Sequence, residues 1–147
     1  AVLNDLIYRK ILVGEAKKRG LFPSRDEVLA YMDEIKRMPE EAKEKGIEIT
    51  PESYALYKDF FTGLEKSGLS EEQYWRNEAV IGKYQEGMAI AKLRAELAKD
   101  WGFTPERIVT PQGVAEFEKK LEEFISLQRK RTRVEILDPA VFQSLPE

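Results

Sequence analysis

The 147-residue sequence contains no cysteine and no histidine. Without cysteine the chain has no disulfide, no thiolate nucleophile and no cysteine-based metal site. Without histidine it lacks imidazole metal ligands and the side chain best suited to proton transfer near neutral pH. Because only carboxylate or lysine chemistry remains open, we predict a protein that is not an enzyme, has no catalytic residues and needs neither a cofactor nor a metal ion.

Long apolar runs are missing as well, since no stretch reaches the roughly 20 residues that a membrane-spanning helix needs. The 24 basic and 27 acidic residues give a net charge of -3, which provides no general attraction to nucleic acid or to anionic membranes. The short basic stretch 129–133 fits the favourable cations of a helix end better than a phosphate contact. We therefore expect no nucleic-acid partner and no transmembrane segment.

Signals for the start and end of helices are frequent in the sequence. Two sites have Ser followed three residues later by Glu or Gln, a capping box in which these side chains satisfy free backbone N–H groups. Three sites have Thr followed by Pro, which is favoured in the first helical turn. Gly20 and Gly68 are predicted to end the first and third helices. The predicted N-caps are Ser24, Thr50, Ser70, Thr104 and Thr110.

Between these signals, apolar residues recur at helical spacing and predict an all-α fold. Pro39 is expected to kink or interrupt the second helix. From Ser70 to Asp100 we find no helix breaker, so we predict one helix of about 30 residues as the centre of an irregular multi-helix bundle. Gly82 and Gly87, inside this helix, are expected to allow close packing of neighbouring helices.

A single short strand is predicted at 133–137, where charged and apolar residues alternate. A lone strand leaves backbone groups unpaired, so its partner is expected in a missing segment or in a second chain, as in a homodimer formed through this strand. The sequence opens on Ala1 inside a helical pattern, and we expect further residues before it. We divide the chain into a helical domain, 1–137, and a C-terminal tail, 138–147.

Aromatic and long apolar side chains between positions 54 and 88 form the candidate site for binding other polypeptides. Aromatic rings are rigid and offer a large contact area, and Tyr and Trp keep a polar group when partly exposed. The same side chains also fit ordinary core packing, and both interpretations stay open at this point. The candidate peptide-binding residues are Tyr54, Tyr57, Phe60, Phe61, Leu64, Tyr74, Trp75, Tyr84 and Met88.

Three stretches resemble, in the same order, the N-terminal chaperone domain of SurA-like and PrsA-like bacterial foldases. Residues 5–36 are similar to the family's opening helix, its glycine stop and its second helix. The stretch GLSEEQYWRN, at 68–77, is similar to the start of the long family helix. The stretch KRTRVEIL, at 130–137, looks like the closing strand.

The resemblance implies an extracytoplasmic domain, periplasmic or at the cell surface and frequently lipid-anchored, that binds unfolded polypeptide clients. Such domains often adjoin a parvulin-type prolyl isomerase domain. This sequence has no parvulin domain, and it also lacks the family's N-terminal strand. Our first hypothesis is therefore ATP-independent, chaperone-like binding of unfolded or extended polypeptides. The alternatives are a structural or dimerisation module that positions another domain, and, third, a prolyl isomerase.

Overall fold

Seven helices make up the residues that the computed structural model describes, 2–131 for the backbone and 3–131 for side chains. The predicted all-α class is confirmed, since no strand occurs within this range. The strand predicted at 133–137 and the tail 138–147 lie outside the described residues. The helices are α1 (Val2–Lys18), α2 (Arg25–Lys45), α3 (Pro51–Ser67), α4 (Glu71–Arg76), α5 (Glu78–Asp100), α6 (Pro105–Ile108) and α7 (Pro111–Arg131).

The predicted caps are confirmed at both kinds of helix end. The Ser24 hydroxyl accepts a hydrogen bond from the backbone N–H of Glu27 at 3.2 Å, and the Glu27 carboxylate accepts one from the Ser24 N–H at 2.7 Å. Ser70 forms the same reciprocal pair with Gln73. Thr50, Thr104 and Thr110 each accept from a backbone N–H three residues later, and Gly20 and Gly68 end helices with φ of 69° and 66°.

The predicted helix of about 30 residues is wrong, because Asn77 divides it into α4 and α5. Asn77 has extended backbone angles, and its side-chain oxygen accepts a hydrogen bond from the N–H of Val80 at 3.1 Å. Its carbonyl also accepts the first bond of the next helix, from the N–H of Ile81. Asparagine is among the best N-cap residues, so a new helix starts here although no Gly or Pro marks the break.

Pro39 lies inside α2, which runs through it without interruption. A proline lacks the N–H that would bond to the carbonyl four residues earlier, but one lost bond does not end this 21-residue helix. The helix instead ends at Gly46, whose φ of 62° is left-handed and whose N–H bonds to the Lys43 carbonyl. Of the two predicted effects of Pro39, the interruption is therefore wrong, and the kink stays a prediction.

Two compact units divide the chain, and each has its own hydrophobic core. Unit 1 consists of the described residues 2–22 and 89–131, and unit 2 is Pro23–Met88. The core of unit 1 is formed by Leu3, Ile7, Ile11, Leu12, Ala16, Ala89, Leu93, Leu97, Phe103, Phe117, Leu121 and Ile125. The core of unit 2 is formed by Val28, Met32, Ile35, Phe60, Tyr74 and Ile81.

Helix α5 is the longest helix of the described range and contributes to both cores. Ile81 belongs to the core of unit 2, whereas Leu93 and Leu97 belong to that of unit 1. The close packing predicted at Gly82 and Gly87 is not found among the described residues, since a methyl group at either position would meet no neighbour within 4 Å.

The two units carry opposite net charge. Unit 2 has 15 acidic and 9 basic residues, which gives a net charge of -6. The described residues of unit 1 have 9 acidic and 14 basic residues, which gives +5. The small net charge of the whole chain is therefore the sum of two regions of opposite charge.

Candidate functional site

The predicted aromatic site centres on Phe60, which is only 1% exposed. The centroid of its ring lies 5.1 Å from that of Phe61, 5.6 Å from that of Tyr74 and 5.7 Å from that of Trp75. These are the separations of packed aromatic pairs. We call Tyr57, Phe60, Phe61, Tyr74 and Trp75 the Phe60 cluster; it joins α3 to α4 within unit 2.

Tyr74 is also a core residue, at 5% exposure. Its hydroxyl occupies space beside Gly63, where an added Cβ would lie 2.8 Å from that oxygen. Burial, followed by a hydrogen bond with Tyr74, raises the pKa of Tyr84 above its ordinary value. The Tyr74 hydroxyl therefore lies in a packed interior, and the half-buried Tyr84 forms a hydrogen bond with it. Phe60 and Tyr74 are therefore residues of the unit 2 core, and their predicted role in peptide binding stays a prediction.

The other predicted site residues are accessible to different degrees. Tyr54, in the first turn of α3, is 55% exposed. Leu56, which the sequence reasoning did not select, is 45% exposed on the same helix. Half-buried side chains, all packed against the core of unit 2, account for the rest of the predicted site. These are Tyr57, Phe61, Leu64, Trp75, Tyr84 and Met88.

A second candidate site is an open groove of about 590 Å³ in unit 1. It is formed by α5, α6, α7 and the α5–α6 connection, and we call it the α5–α7 groove. Its floor contains the rings of Phe103 and Phe117, which are 8% and 4% exposed and 5.7 Å apart between centroids. The apolar lining is completed by Ala95, Ala98, Pro105, Ile108 and Val114, and the charged rim is Arg94, Lys99 and Glu118.

Close approach of α6 to the start of α7 shapes one end of this groove. A Cβ on Gly113 would lie 1.8 Å from the Arg107 carbonyl oxygen, so only glycine fits there. The Thr110 hydroxyl donates to the same carbonyl at 2.8 Å and accepts from the Gly113 N–H at 3.0 Å. This tight corner leaves Val114, 45% exposed, at the edge of the groove rather than in the core.

Cations and carboxylates are paired around the aromatic floor. The Arg94 guanidinium forms an ion pair with Glu118 and lies 5.2 Å from the centroid of the Phe117 ring. Outside the groove, Arg107 pairs with Glu116 and lowers the pKa of that carboxyl through their hydrogen bond. Lys99 is exposed and has no ion-pair partner among the described residues. The rim is thus a charged border around an apolar surface.

Within residues 2–131, no group of three or more acidic side chains is arranged to hold a metal ion. In the same range, no helix is both long enough and apolar enough to span a membrane. The predictions that the protein has no cofactor and no catalytic activity stay predictions.

Sequence reasoning missed the α5–α7 groove because its lining comes from separate segments that each have an ordinary pattern. One sequence signal could have indicated the groove. Apolar residues are dense in and around α6, and a helix this short has little core surface against which to bury them. Ile108 and Val114 line the groove, and Val109 is 75% exposed beside it. A four-residue helix cannot bury apolar residues on every side, so some must remain accessible.

Comparison with known proteins provides no relative for this chain: no family model, no curated protein and no solved structure matches it. The resemblance to SurA-like and PrsA-like chaperone domains therefore stays a prediction.

Proposed function

We propose that this protein binds extended, apolar-rich segments of other polypeptides reversibly and without ATP, and that the α5–α7 groove is the binding surface. The observation that carries the proposal is an open apolar groove of about 590 Å³ in a chain with no histidine or cysteine. Small-molecule pockets have volumes of roughly 300–1,000 Å³, so the groove has room for a few apolar side chains of a client.

The lining of the groove supports binding that tolerates many client sequences. Ala95 and Ala98 are small, so they leave room above the rings of Phe103 and Phe117 for client side chains. Burial of apolar surface is non-directional and depends mainly on area. A client therefore needs apolar side chains at suitable spacing rather than one particular set of polar groups.

Transient rather than permanent binding is supported by the charged rim. Arg94, Lys99 and Glu118 surround the floor, whereas permanent interfaces between proteins are larger and more hydrophobic. ATP independence is supported by the absence of a glycine-rich phosphate-binding motif from the sequence. An extracytoplasmic location belongs to the same proposal and rests on the family resemblance alone.

The accessible part of the originally predicted surface is a second contact region in this proposal. Tyr54 is exposed, and Tyr57 and Phe61 continue its stripe along α3 at helical spacing. The rings of Tyr57 and Phe61 lie 4.6 Å apart between centroids. Most of their area already packs within unit 2, so we assign the larger share of client binding to the groove.

The experiment fills the groove by substitution. Ala95 is exposed and lines the groove, so Ala95→Trp introduces a large ring there while the core remains intact. Ala115→Trp, on the exposed surface of α7 and outside the groove lining, is the matched control. Affinity for a fluorescent apolar peptide is measured by anisotropy, and suppression of aggregation of an unfolded client is measured by light scattering.

We expect Ala95→Trp to weaken peptide binding at least about tenfold and to abolish suppression, because burying one apolar side chain contributes about 1.5–3 kcal/mol. Ala115→Trp should match the wild type. If the folded wild-type protein neither binds the peptide nor suppresses aggregation, the proposed function is wrong. If Tyr54→Ser abolishes binding while Ala95→Trp does not, the function stands and its assignment to the groove is wrong.

A further inference from the structure

The connection between α2 and α3 exposes aliphatic side chains at one end of unit 2. Helix α2 ends at Gly46, and the N–H of Ile47 bonds to the Ala42 carbonyl at 2.9 Å, which directs the chain away from the helix axis. The Ile47 side chain is left 61% exposed. It lines a shallow pocket of about 260 Å³, named here the α2–α3 pocket, together with Met38, Ala42 and Ile49.

Three carboxylates line the same pocket: Glu34, Glu41 and Glu48. Its single cation, Lys45, is held by Glu41 at 3.7 Å. Glu34 and Glu48 have no ion-pair partner among the described residues. This local excess of negative charge lies within a unit whose net charge is -6.

The combination of exposed aliphatic surface and unpaired carboxylates selects one class of occupant. Lys and Arg side chains have apolar stems that cover aliphatic surface while their charged ends reach carboxylates. An acidic segment would bring like charges together, and an uncharged segment would leave the carboxylates without a partner. The charge complements a basic segment, and the aliphatic lining complements Leu, Ile or Val beside the basic residues.

We propose that the α2–α3 pocket is a docking site for a polypeptide segment of another protein in which Lys or Arg residues flank aliphatic residues. The site is independent of the proposed α5–α7 groove, because it lies in the other unit, uses other helices and has carboxylates where the groove has a mixed rim. Charge attraction accelerates association with basic partners, and the exposed Ile47 supplies apolar contact.

The test uses two fluorescent peptides with identical aliphatic residues, one flanked by Lys and the other by Glu, and measures anisotropy at low and high salt. Two variants remove the two features separately. Ile47→Ser removes the exposed aliphatic side chain, and the double substitution Glu34→Gln with Glu48→Gln removes the unpaired charges. Glu65→Gln, which changes an exposed carboxylate of α3 outside the pocket, is the matched control.

We expect the Lys peptide to bind more tightly than the Glu peptide, with an affinity that falls as salt screens the charges. Ile47→Ser should weaken its binding about tenfold. The Glu34→Gln, Glu48→Gln double variant should weaken it about fivefold, because exposed ion pairs contribute modestly. Glu65→Gln should bind as the wild type does, since it lies outside the pocket lining.

Four results would overturn the proposal. Equal affinity for the two peptides would show that charge does not select the segment. Wild-type affinity in both pocket variants would show that the segment does not bind in the α2–α3 pocket. Loss of Lys-peptide binding in Ala95→Trp would place the segment in the groove. Sedimentation velocity without peptide tests whether a second copy of this chain occupies the pocket. Salt-sensitive self-association that Ile47→Ser abolishes would assign the pocket to that second copy. The proposed binding of another protein would then be wrong.

Discussion

In unit 2 the aromatic side chains pack against one another around Phe60, whereas in unit 1 Phe103 and Phe117 form the floor of an open groove. Both units have a core of buried aliphatic residues, and both contain edge-to-face ring pairs. They differ in how the contributing elements meet. In unit 2, α2 packs along α3 and α4 follows it, and the rings of Phe60 and Tyr74 are enclosed. In unit 1, the four-residue α6 is too short to cover the surface between α5 and α7.

This difference teaches that the density of aromatic residues along a sequence does not indicate where an accessible binding surface lies. Phe60 and Tyr74, two of the predicted contacts, are enclosed by their own unit. The groove contains only two aromatic rings, but the small side chains of Ala95 and Ala98 lie beside them and its border is charged. An accessible surface requires a gap between elements, and such a gap is a tertiary property.

The largest expected effects are losses in the free energy of unfolding when a buried side chain is removed from the core of either unit. Phe60→Ala removes a ring with 1% exposure and should lower the free energy of unfolding by about 3–5 kcal/mol, and Leu121→Ala should lower it by about 2–5 kcal/mol in unit 1. The two tryptophans separate the units, because Trp75 lies in unit 2 and Trp101 in unit 1. Each substitution is made in two backgrounds. In Trp101→Phe, the fluorescence of Trp75 gives the urea midpoint of unit 2, and in Trp75→Phe, the fluorescence of Trp101 gives that of unit 1.

We expect Phe60→Ala to lower the midpoint of Trp75 more than that of Trp101, and Leu121→Ala to do the reverse. Identical shifts of both midpoints in both variants would contradict the comparison, since the two cores would then unfold as one cooperative unit.

The next effect tests why the groove stays open. Gly113→Ala places a methyl group within 1.8 Å of the Arg107 carbonyl oxygen, so the α6–α7 corner must move. We expect a loss of about 1–3 kcal/mol or more in stability and weaker binding of the apolar peptide. Thermal denaturation and anisotropy measure the two quantities.

Gly87→Ala is the matched control, because an added methyl group there meets nothing within 4 Å inside α5. It should stabilise the protein by about 0.5–1 kcal/mol through improved helix propensity. A Gly113→Ala variant as stable and as active in binding as the wild type would show that the corner does not shape the groove.

A smaller effect concerns the break between α4 and α5. Asn77→Ala removes the hydrogen bond that its side chain accepts from the Val80 N–H and should lower the free energy of unfolding by about 1 kcal/mol. Ser70→Ala, which removes the cap of α4, should have a similar effect. Urea denaturation measures both. No loss in Asn77→Ala would indicate that a continuous helix is equally stable, as the sequence alone had predicted.

The smallest effect appears at alkaline pH. Burial and the hydrogen bond with Tyr74 raise the pKa of Tyr84 above the ordinary value near 10. The unfolded chain therefore loses this proton at lower pH than the folded chain does, and the stability contributed by the neutral hydroxyl is lost as pH rises above about 10. Tyr84→Phe should make the urea midpoint of unit 2, measured by Trp75 fluorescence, less dependent on pH in that range. Equal dependence in the two proteins would contradict this assignment.

Local signals made the ends of the helices predictable. Caps such as Ser24, Thr50 and Ser70 depend on hydrogen bonds within one turn, so their sequence pattern is sufficient. The helix break at Asn77 was missed because asparagine also occurs inside helices, and its capping role depends on backbone angles that a pattern does not display. The sequence pattern predicted an interruption at Pro39, but α2 continues through it. Met32 and Ile35, on its N-terminal side, are anchored in the core of unit 2.

The site was less predictable than the helices, for a different reason. Tyr54 and Phe60 lie on one helix only six positions apart, but Tyr54 is 55% exposed and Phe60 is 1% exposed. Which of them is buried depends on where α2 and α4 meet α3. The groove likewise depends on the contact between Gly113 and the Arg107 carbonyl, two groups whose proximity no periodic pattern records.

The measurement that tests the central claim most directly is hydrogen exchange, followed by mass spectrometry, with and without an uncharged apolar peptide. We expect bound peptide to slow exchange in the segments that line the α5–α7 groove, 94–99 and 103–118, while exchange at 51–64 in α3 changes little. Protection confined to 51–64, with none in the groove segments, would contradict it and return the binding surface to the aromatic residues of unit 2.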